Sequence, residues 1–173
     1  MLEKRVKIAF LSIGSNLGNR KKNIELAKFK LEKNSIKIIK ISNNYETLSY
    51  PNKKNPKFIN IVIEVDTHLP PADLASVLIF IEEKLERKRG KKNDPRTCDI
   101  DIIDYNNQVM DFKYLDYTFT VPHTKLTHRN FVLIPLKEII PNWIHPKTKD
   151  PINKLFENLP QVDKNSILKV KKS

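Results

Sequence analysis

Asp99 and Asp101 stand one residue apart inside the run Thr97-Cys98-Asp99-Ile100-Asp101-Ile102-Ile103, whose β-branched residues and alternation predict a strand. On a strand both carboxylates point to one face, with Cα atoms about 6–7 Å apart at about 3.3 Å per residue. Two carboxylates so placed repel each other, and a divalent cation resolves the repulsion. Mg2+ in phosphoryl-transfer sites is typically held by one or two carboxylates, with phosphates and water completing its shell. Two metals about 3.5–4 Å apart could share the same pair. An Asp-x-Asp alone suits a solvated strand face about as well, so its surroundings decide. Arg87, Arg89 and Arg96 precede or interrupt the same stretch, with Lys88, Lys91 and Lys92 beside them. Guanidinium forks and metal ions together neutralise the charge of a phosphate chain during transfer. His123, after Pro122, and Arg129 add a second polar cluster in the C-terminal third.

The elements that position these residues follow from periodicity. Residues 6–13 predict a buried strand ending in the turn chemistry of Gly14-Ser15-Asn16. Residues 21–33 predict a helix, with Ile24, Ala27 and Leu31 at helical spacing. Residues 36–48 and 58–65 predict two strands joined by a polar loop holding Pro51 and Pro56. A second helix runs from Pro71 to about residue 88, with Leu74, Val77, Leu78, Ile81 and Leu85 on one stripe. The Asp99 strand comes fourth. The order βαββαβ predicts an α+β protein with a ferredoxin-like core: an antiparallel sheet carrying both helices on one face. A C-terminal extension follows, comprising a turn at Asn106-Asn107, a loop to Pro122-His123 and a helix-like stretch over 131–139 interrupted by Pro135. One domain over 1–160 and a mobile lysine-rich tail over 161–173 are expected. Residues 14–18 lack a terminal Gly-Lys-Ser/Thr, so they read as a tight turn packed near the site rather than a phosphate loop.

Five segments resemble 6-hydroxymethyl-7,8-dihydropterin pyrophosphokinases of folate biosynthesis: Gly14-Ser15-Asn16-Leu17-Gly18; Phe58-Ile59-Asn60; Ile81-Glu82 with Arg87; Pro95-Arg96-Thr97-Cys98-Asp99-Ile100-Asp101; and Val121-Pro122-His123 followed by Arg129, Phe131 and Pro135-Leu136. They occur in the family's order across residues 6–146. The resemblance implies that two Mg2+ ions bridge ATP to Asp99 and Asp101, and that the terminal two phosphates move together to the pterin hydroxymethyl oxygen, releasing AMP. It implies catalytic roles for Arg87 and Arg96 on the phosphates. Glu82, Arg89, Ile102, Thr120, His123 and Arg129 would help hold ATP. Phe58 and Phe131 would sandwich the pterin, while Asn60 reads its amide edge with backbone groups of Thr47, Ser49 and Tyr50. The chain departs from the family pattern at Asn93, where tryptophan is frequent, and at Asp94, where glycine is usual. Thr118 and Thr124 replace an arginine and an aromatic residue.

The formal charge of +12 favours anionic ligands. Much of the excess is lysine scattered along a solvated surface, as at Lys28, Lys30, Lys33, Lys37 and Lys40. A basic βαββαβ module that binds RNA without catalysis is the competing reading. Its Lys/Arg-Gly-Phe/Tyr-Gly/Ala-Phe run is missing, and the chain has only 3 glycines, so no nucleic-acid partner is expected. No signal peptide is evident, and no stretch approaches the roughly 18 apolar residues that span a bilayer. The single cysteine, Cys98, cannot form an internal disulfide and suits a reducing compartment. These features predict a cytoplasmic protein with no membrane partner, and with the resemblance a monomer acting on the small molecules ATP and a reduced hydroxymethylpterin is expected.

Overall fold

The computed structural model describes residues 5–88 and 90–170, so Arg89 and the last three residues of the expected tail lie outside the described residues. Strand β1 (Lys7–Ser15) leads into helix α1 (Arg20–Lys33). Gly18 between them takes φ +68°, which costs glycine little. Asn19 then caps the helix by accepting from the Lys22 amide at 3.1 Å.

The single strand expected over 36–48 is two strands, β2 (Lys37–Ile41) and β3 (Asn44–Thr47). At the break, buried Ser42 bonds Val62 twice: its N–H donates to the Val62 carbonyl and its hydroxyl accepts the Val62 N–H, both at 3.0 Å. A side chain thus replaces one rung of the ladder to β4 (Phe58–Thr67). Helix α2 (Pro71–Lys84) stops before the expected residue 88. Glu86 adopts φ 61° and the Arg87 N–H turns back to the Glu82 carbonyl at 3.1 Å, a left-handed helix cap. Strand β5 (Asp99–Tyr105) completes the core. The order β5-β1-β4-β3, with β2 also on β4 and every pairing antiparallel, is the ferredoxin-like arrangement.

Alternation along β4 divides the molecule into layers. Ile59, Ile61, Ile63 and Val65 pack against Ile24, Ala27 and Leu31 of α1 and Leu74, Leu78 and Ile81 of α2. The opposite face is covered as well. Phe10, Val62 and Ile103 meet Val132, Leu133 and Leu136 of α3 (Asn130–Ile139), then Trp143, and Ile152 and Leu155 of α4 (Ile152–Glu157). Each such buried side chain contributes roughly 1.5–3 kcal/mol. An RNA-recognition module stacks bases on that sheet face, and here the C-terminal extension occupies it. A bulge at Ile103, where Phe10 pairs Asp104 but Leu11 pairs Ile102, aims Asp104 at the extension, and the Trp143 indole N–H donates to it at 2.9 Å.

Two expectations for the C-terminal third are corrected. Much of the loop expected between Asn107 and Pro122 is a hairpin, β6 (Met110–Tyr114) and β7 (Tyr117–Val121), with Phe112 stacked on Phe119 at 5.2 Å. The mobile tail is in fact folded over its described part. Helix α5 (Gln161–Asn165) precedes strand β8 (Leu168–Val170), which pairs antiparallel with β3 through Tyr45 and Lys169.

Candidate active site

Asp99 and Asp101 lie opposite Gly14 and Ser12 of β1, on the face away from Ile100 and Ile102, which belong to the core. The early end of α2 lets Arg87 fold back, and its Nη1 donates to Asp99 Oδ1 at 2.9 Å while also pairing with Glu82. Glu82 is buried and its Oε1 accepts the Ile100 N–H at 2.7 Å, so the α2 terminus is tied to the strand carrying both aspartates. Arg96 Nη1 reaches Asp99 Oδ2 at 3.4 Å. Arg129 Nη1 donates to Asp101 Oδ2 at 3.0 Å, and His123 Nε2 stands 3.9 Å from the same oxygen. Four sequence-predicted residues, Arg87, Arg96, Arg129 and His123, therefore converge on two carboxylates, with Glu82 behind Arg87.

Burial and repulsion from Asp101 push the Asp99 pKa up against the pull of Arg87, Arg96 and Arg129. Burial lowers the His123 pKa although Asp101 opposes the shift, which favours the neutral ring. Its Nδ1 accepts the Lys125 amide at 3.1 Å, leaving Nε2 to carry the proton of the neutral form. Among the described residues no group of three or more His, Cys, Asp or Glu side chains gathers as a metal cage. Two carboxylates, with oxygen ligands from phosphate and water, fit Mg2+ better than a softer ion.

Beside Asp101 opens a cavity of about 280 Å³, walled by Leu78, Ile102, Thr120 and His123. Thr118 and Thr124, two of the departures from the family pattern, line the same space. Thr120 is held by Asp111, its hydroxyl donating at 2.7 Å. Ala75, Leu78, Ile79 and Phe119 also contribute walls and were not legible as site residues. On α2 such residues are indistinguishable from a core-facing stripe. The other two departures shape the basic loop: the Asp94 carboxylate accepts the Lys91 N–H at 2.8 Å, and Asn93 takes φ 69°.

A second cluster lies on β3 and β4. Asn60 is buried, donates to the Thr47 hydroxyl at 2.9 Å and rests above Gly14, where an added Cβ would come within 2.8 Å of its Oδ1. Phe58 pairs across the ladder with Thr47, and the Arg96 guanidinium lies 5.7 Å from its ring centre. Phe131 opens α3 with Arg129 over its ring at 5.4 Å. Each aromatic is thus joined through an arginine to one of the aspartates. The Ser49 hydroxyl is taken up by Asn16 and the Pro56 carbonyl, whereas Tyr50 is 84% exposed. A more open depression of about 460 Å³ around Arg20, Glu46 and Lys57 lies apart from the aspartates, and these charges pair with one another.

Residues 10–141 match the family described as 7,8-dihydro-6-hydroxymethylpterin-pyrophosphokinase. The chain is 38% identical over 83% of its length to a 2-amino-4-hydroxy-6-hydroxymethyldihydropteridine pyrophosphokinase of Aquifex aeolicus, covering 86% of that protein. It is 35% identical over 89% of its length to a folic acid synthesis protein of Schizosaccharomyces pombe, of which it covers 21%. The chain spans about a fifth of the length of this and similar long relatives. Wild-type HPPK-DHPS of Plasmodium falciparum solved with pteroate superposes with TM-score 0.69 at 20% identity, over 88% of this chain and 42% of that one. A variant of that protein with pteroate gives 0.78 at 16% identity over 99% of this chain and 48% of its own, which establishes a shared fold.

Proposed function

The chain belongs to the 7,8-dihydro-6-hydroxymethylpterin-pyrophosphokinase family, and from that premise we propose that it transfers the β,γ-diphosphate of ATP to the hydroxymethyl oxygen of 6-hydroxymethyl-7,8-dihydropterin, releasing AMP, in folate biosynthesis. The observation that carries this reading is the single strand face on which Asp99 and Asp101 meet Arg87, Arg96 and Arg129. Asp99 and Asp101 would hold two Mg2+ ions, which would supply positive charge to neutralise the phosphate chain.

Arg87, steadied by Glu82, and Arg96 direct guanidinium donors at phosphate oxygens and stabilise charge as AMP departs. Neutral His123 donates from Nε2, and Arg129 and Arg89 help hold ATP. Ile102 and Thr120, in the cavity beside Asp101, hold the nucleoside end. Phe58 and Phe131 clasp the pterin ring, and Asn60 with the main chain of Thr47, Ser49 and Tyr50 reads its amide edge. Positioning and electrostatics supply most of the acceleration in phosphoryl-type transfer. The same reading makes the protein a monomer working on two small molecules in the cytoplasm, where buried Cys98 stays reduced. Among the described residues no helix is long and apolar enough to cross a membrane.

Incubation with Mg2+, ATP and reduced hydroxymethylpterin should yield AMP and the pterin diphosphate in equal amounts. Formation of ADP, or no pterin-dependent AMP, overturns the proposal.

A further inference from the structure

Asn16 is 1% exposed, and its amide is almost fully spent on two distant segments of chain. Nδ2 donates to Ser49 Oγ and to the Pro56 carbonyl, both at 3.1 Å. Oδ1 accepts the Arg96 N–H at 2.8 Å, and the Asn16 main-chain N–H donates to the Arg96 carbonyl at 3.1 Å. Ser49 and Pro56 are the two ends of the loop that leaves β3 and returns to β4, and Ser49 Oγ also donates to the Pro56 carbonyl, pinching that loop shut. Arg96 opens the segment that delivers Asp99. One buried side chain therefore spans the loop flanking Thr47 and Phe58 and the segment carrying the phosphate-side arginine.

We propose that Asn16 is a positioning residue that fixes the acceptor-side loop, residues 48–57, against the donor-side segment at Arg96. The functional half of this inference rests on the pyrophosphokinase reading, because it assigns pterin to one side of the joint and phosphate to the other. Transfer needs the attacking oxygen held about 3–3.5 Å from phosphorus, and a misplacement of about 1 Å can cost roughly 100-fold in rate. Glutamine carries the same amide but adds a methylene at a position that is 1% exposed. Aspartate keeps the acceptor for the Arg96 N–H but has no donor for Ser49 or Pro56. Alanine keeps none of the side-chain bonds.

This asymmetry makes Asn16→Asp a one-sided probe. Ser49 Oγ and the Pro56 carbonyl each lose the Asn16 donor and face a carboxylate, which destabilises the 48–57 side only. Hydrogen exchange on the variant should show the bonded amides of the 49–57 loop, Lys54 and Asn55, exchanging about 10-fold faster or more, while the Arg96 amide stays protected. The dissociation constant for a pterin should rise about 10- to 100-fold, that for a nonhydrolysable ATP analogue by less than about 2-fold, and kcat should fall. Asn16→Ala should loosen both sides. Unchanged exchange at Lys54 and Asn55, or equal weakening of both ligands by Asn16→Asp, overturns the proposal. Should Asn16→Asp fail to fold, Ser49→Ala removes one acceptor on the same side, and it too must weaken the pterin more than the nucleotide; parity there overturns it. Wild-type protein assayed alongside separates the two ideas. Absence of AMP sinks the pyrophosphokinase reading, while the exchange pattern still decides whether Asn16 joins the loops.

Discussion

At Asp99 two influences oppose each other: burial and Asp101 favour the protonated carboxyl, while Arg87, Arg96 and Arg129 favour the ionised one. The outcome is a carboxyl with its pKa above the ordinary range, at a place where a further cation would be welcomed. Asp99→Asn and Asp101→Asn should each lower kcat by about 100-fold or more, since a metal anchor is lost where charge develops. Neither should lower the melting temperature much, because each also removes carboxylate repulsion. Near-wild-type turnover with Mg2+ at moderate concentration would remove the metal assignment. Asp, Arg and His were legible in the sequence because their chemistry travels with their type. Gly14 and Asn16 read only as turn residues, since their work depends on partners the chain brings from far away: Asn60 over one, Ser49, Pro56 and Arg96 around the other. Gly14→Ala tests that contact. Its Cβ would approach Asn60 Oδ1 to 2.8 Å and Phe58 Cδ1 to 3.4 Å, so the variant should lose pterin affinity while nucleotide affinity holds. Calorimetric titration with each ligand separately would show it, and an unchanged pterin constant would mean that Asn60 yields freely.

Among elements, α1, α2 and the four core strands were legible because a single apolar face gives each a clear period, 3.6 or 2. The β6–β7 hairpin was missed because its turn is carried by Leu115 at φ 52°, not by a glycine or asparagine that would announce it. Strand β8 was missed for a related reason: Leu168–Val170 has almost no pattern of its own and is defined by the edge it meets on β3. The end of α2 depended on Glu86 entering a left-handed conformation, unusual for that residue, and this allows Arg87 to face Asp99. Helix α3 shows how an element can serve two ends. Its inner face packs Val132, Leu133 and Leu136 under the sheet, while its first turn presents Phe131 beside Arg129. If that ring forms one wall of the pterin site, Phe131→Ala should weaken pterin binding by about 5- to 150-fold, from a stacking contribution of roughly 1–3 kcal/mol. Binding of a nonhydrolysable ATP analogue should change much less, because the proposed function assigns its phosphates to arginines and metal. Equal losses for both ligands would return Phe131 to the role of an ordinary packing residue.

Across the whole molecule, one sheet is covered on both faces, so the site sits at a sheet end where loops from both layers meet instead of on an open surface. The second layer was only partly legible, because its residues converge from short segments between 126 and 159 with no long period. Its attachment gives a stability prediction. His145 is buried, edge-on to Trp143 at 5.6 Å, and its Nδ1 accepts the amides of Lys147 and Thr148, both at 3.2 Å. Burial lowers its pKa below the ordinary 6.5, with Asp150 opposing and Lys147 assisting. Protonation would place a hydrogen on Nδ1 and eject both amide donors. Because the folded-state pKa lies below the unfolded one, the unfolded chain binds more protons in the window between them. The contribution of neutral His145 is therefore complete above about pH 6.5 and is lost as pH falls toward the folded-state value, at a slope of at most about 1.4 kcal/mol per pH unit. Asparagine at this position can accept an amide hydrogen but does not titrate. Urea unfolding of wild type and His145→Asn from pH 7.5 to 5 should give curves that differ by a narrowing gap, with the wild type losing more on acidification. Other titrating groups are common to both proteins and cancel in the difference. A gap that stays constant across this range would mean that His145 titrates alike in the folded and unfolded chains, and that the 145–150 turn is held by its backbone bonds alone.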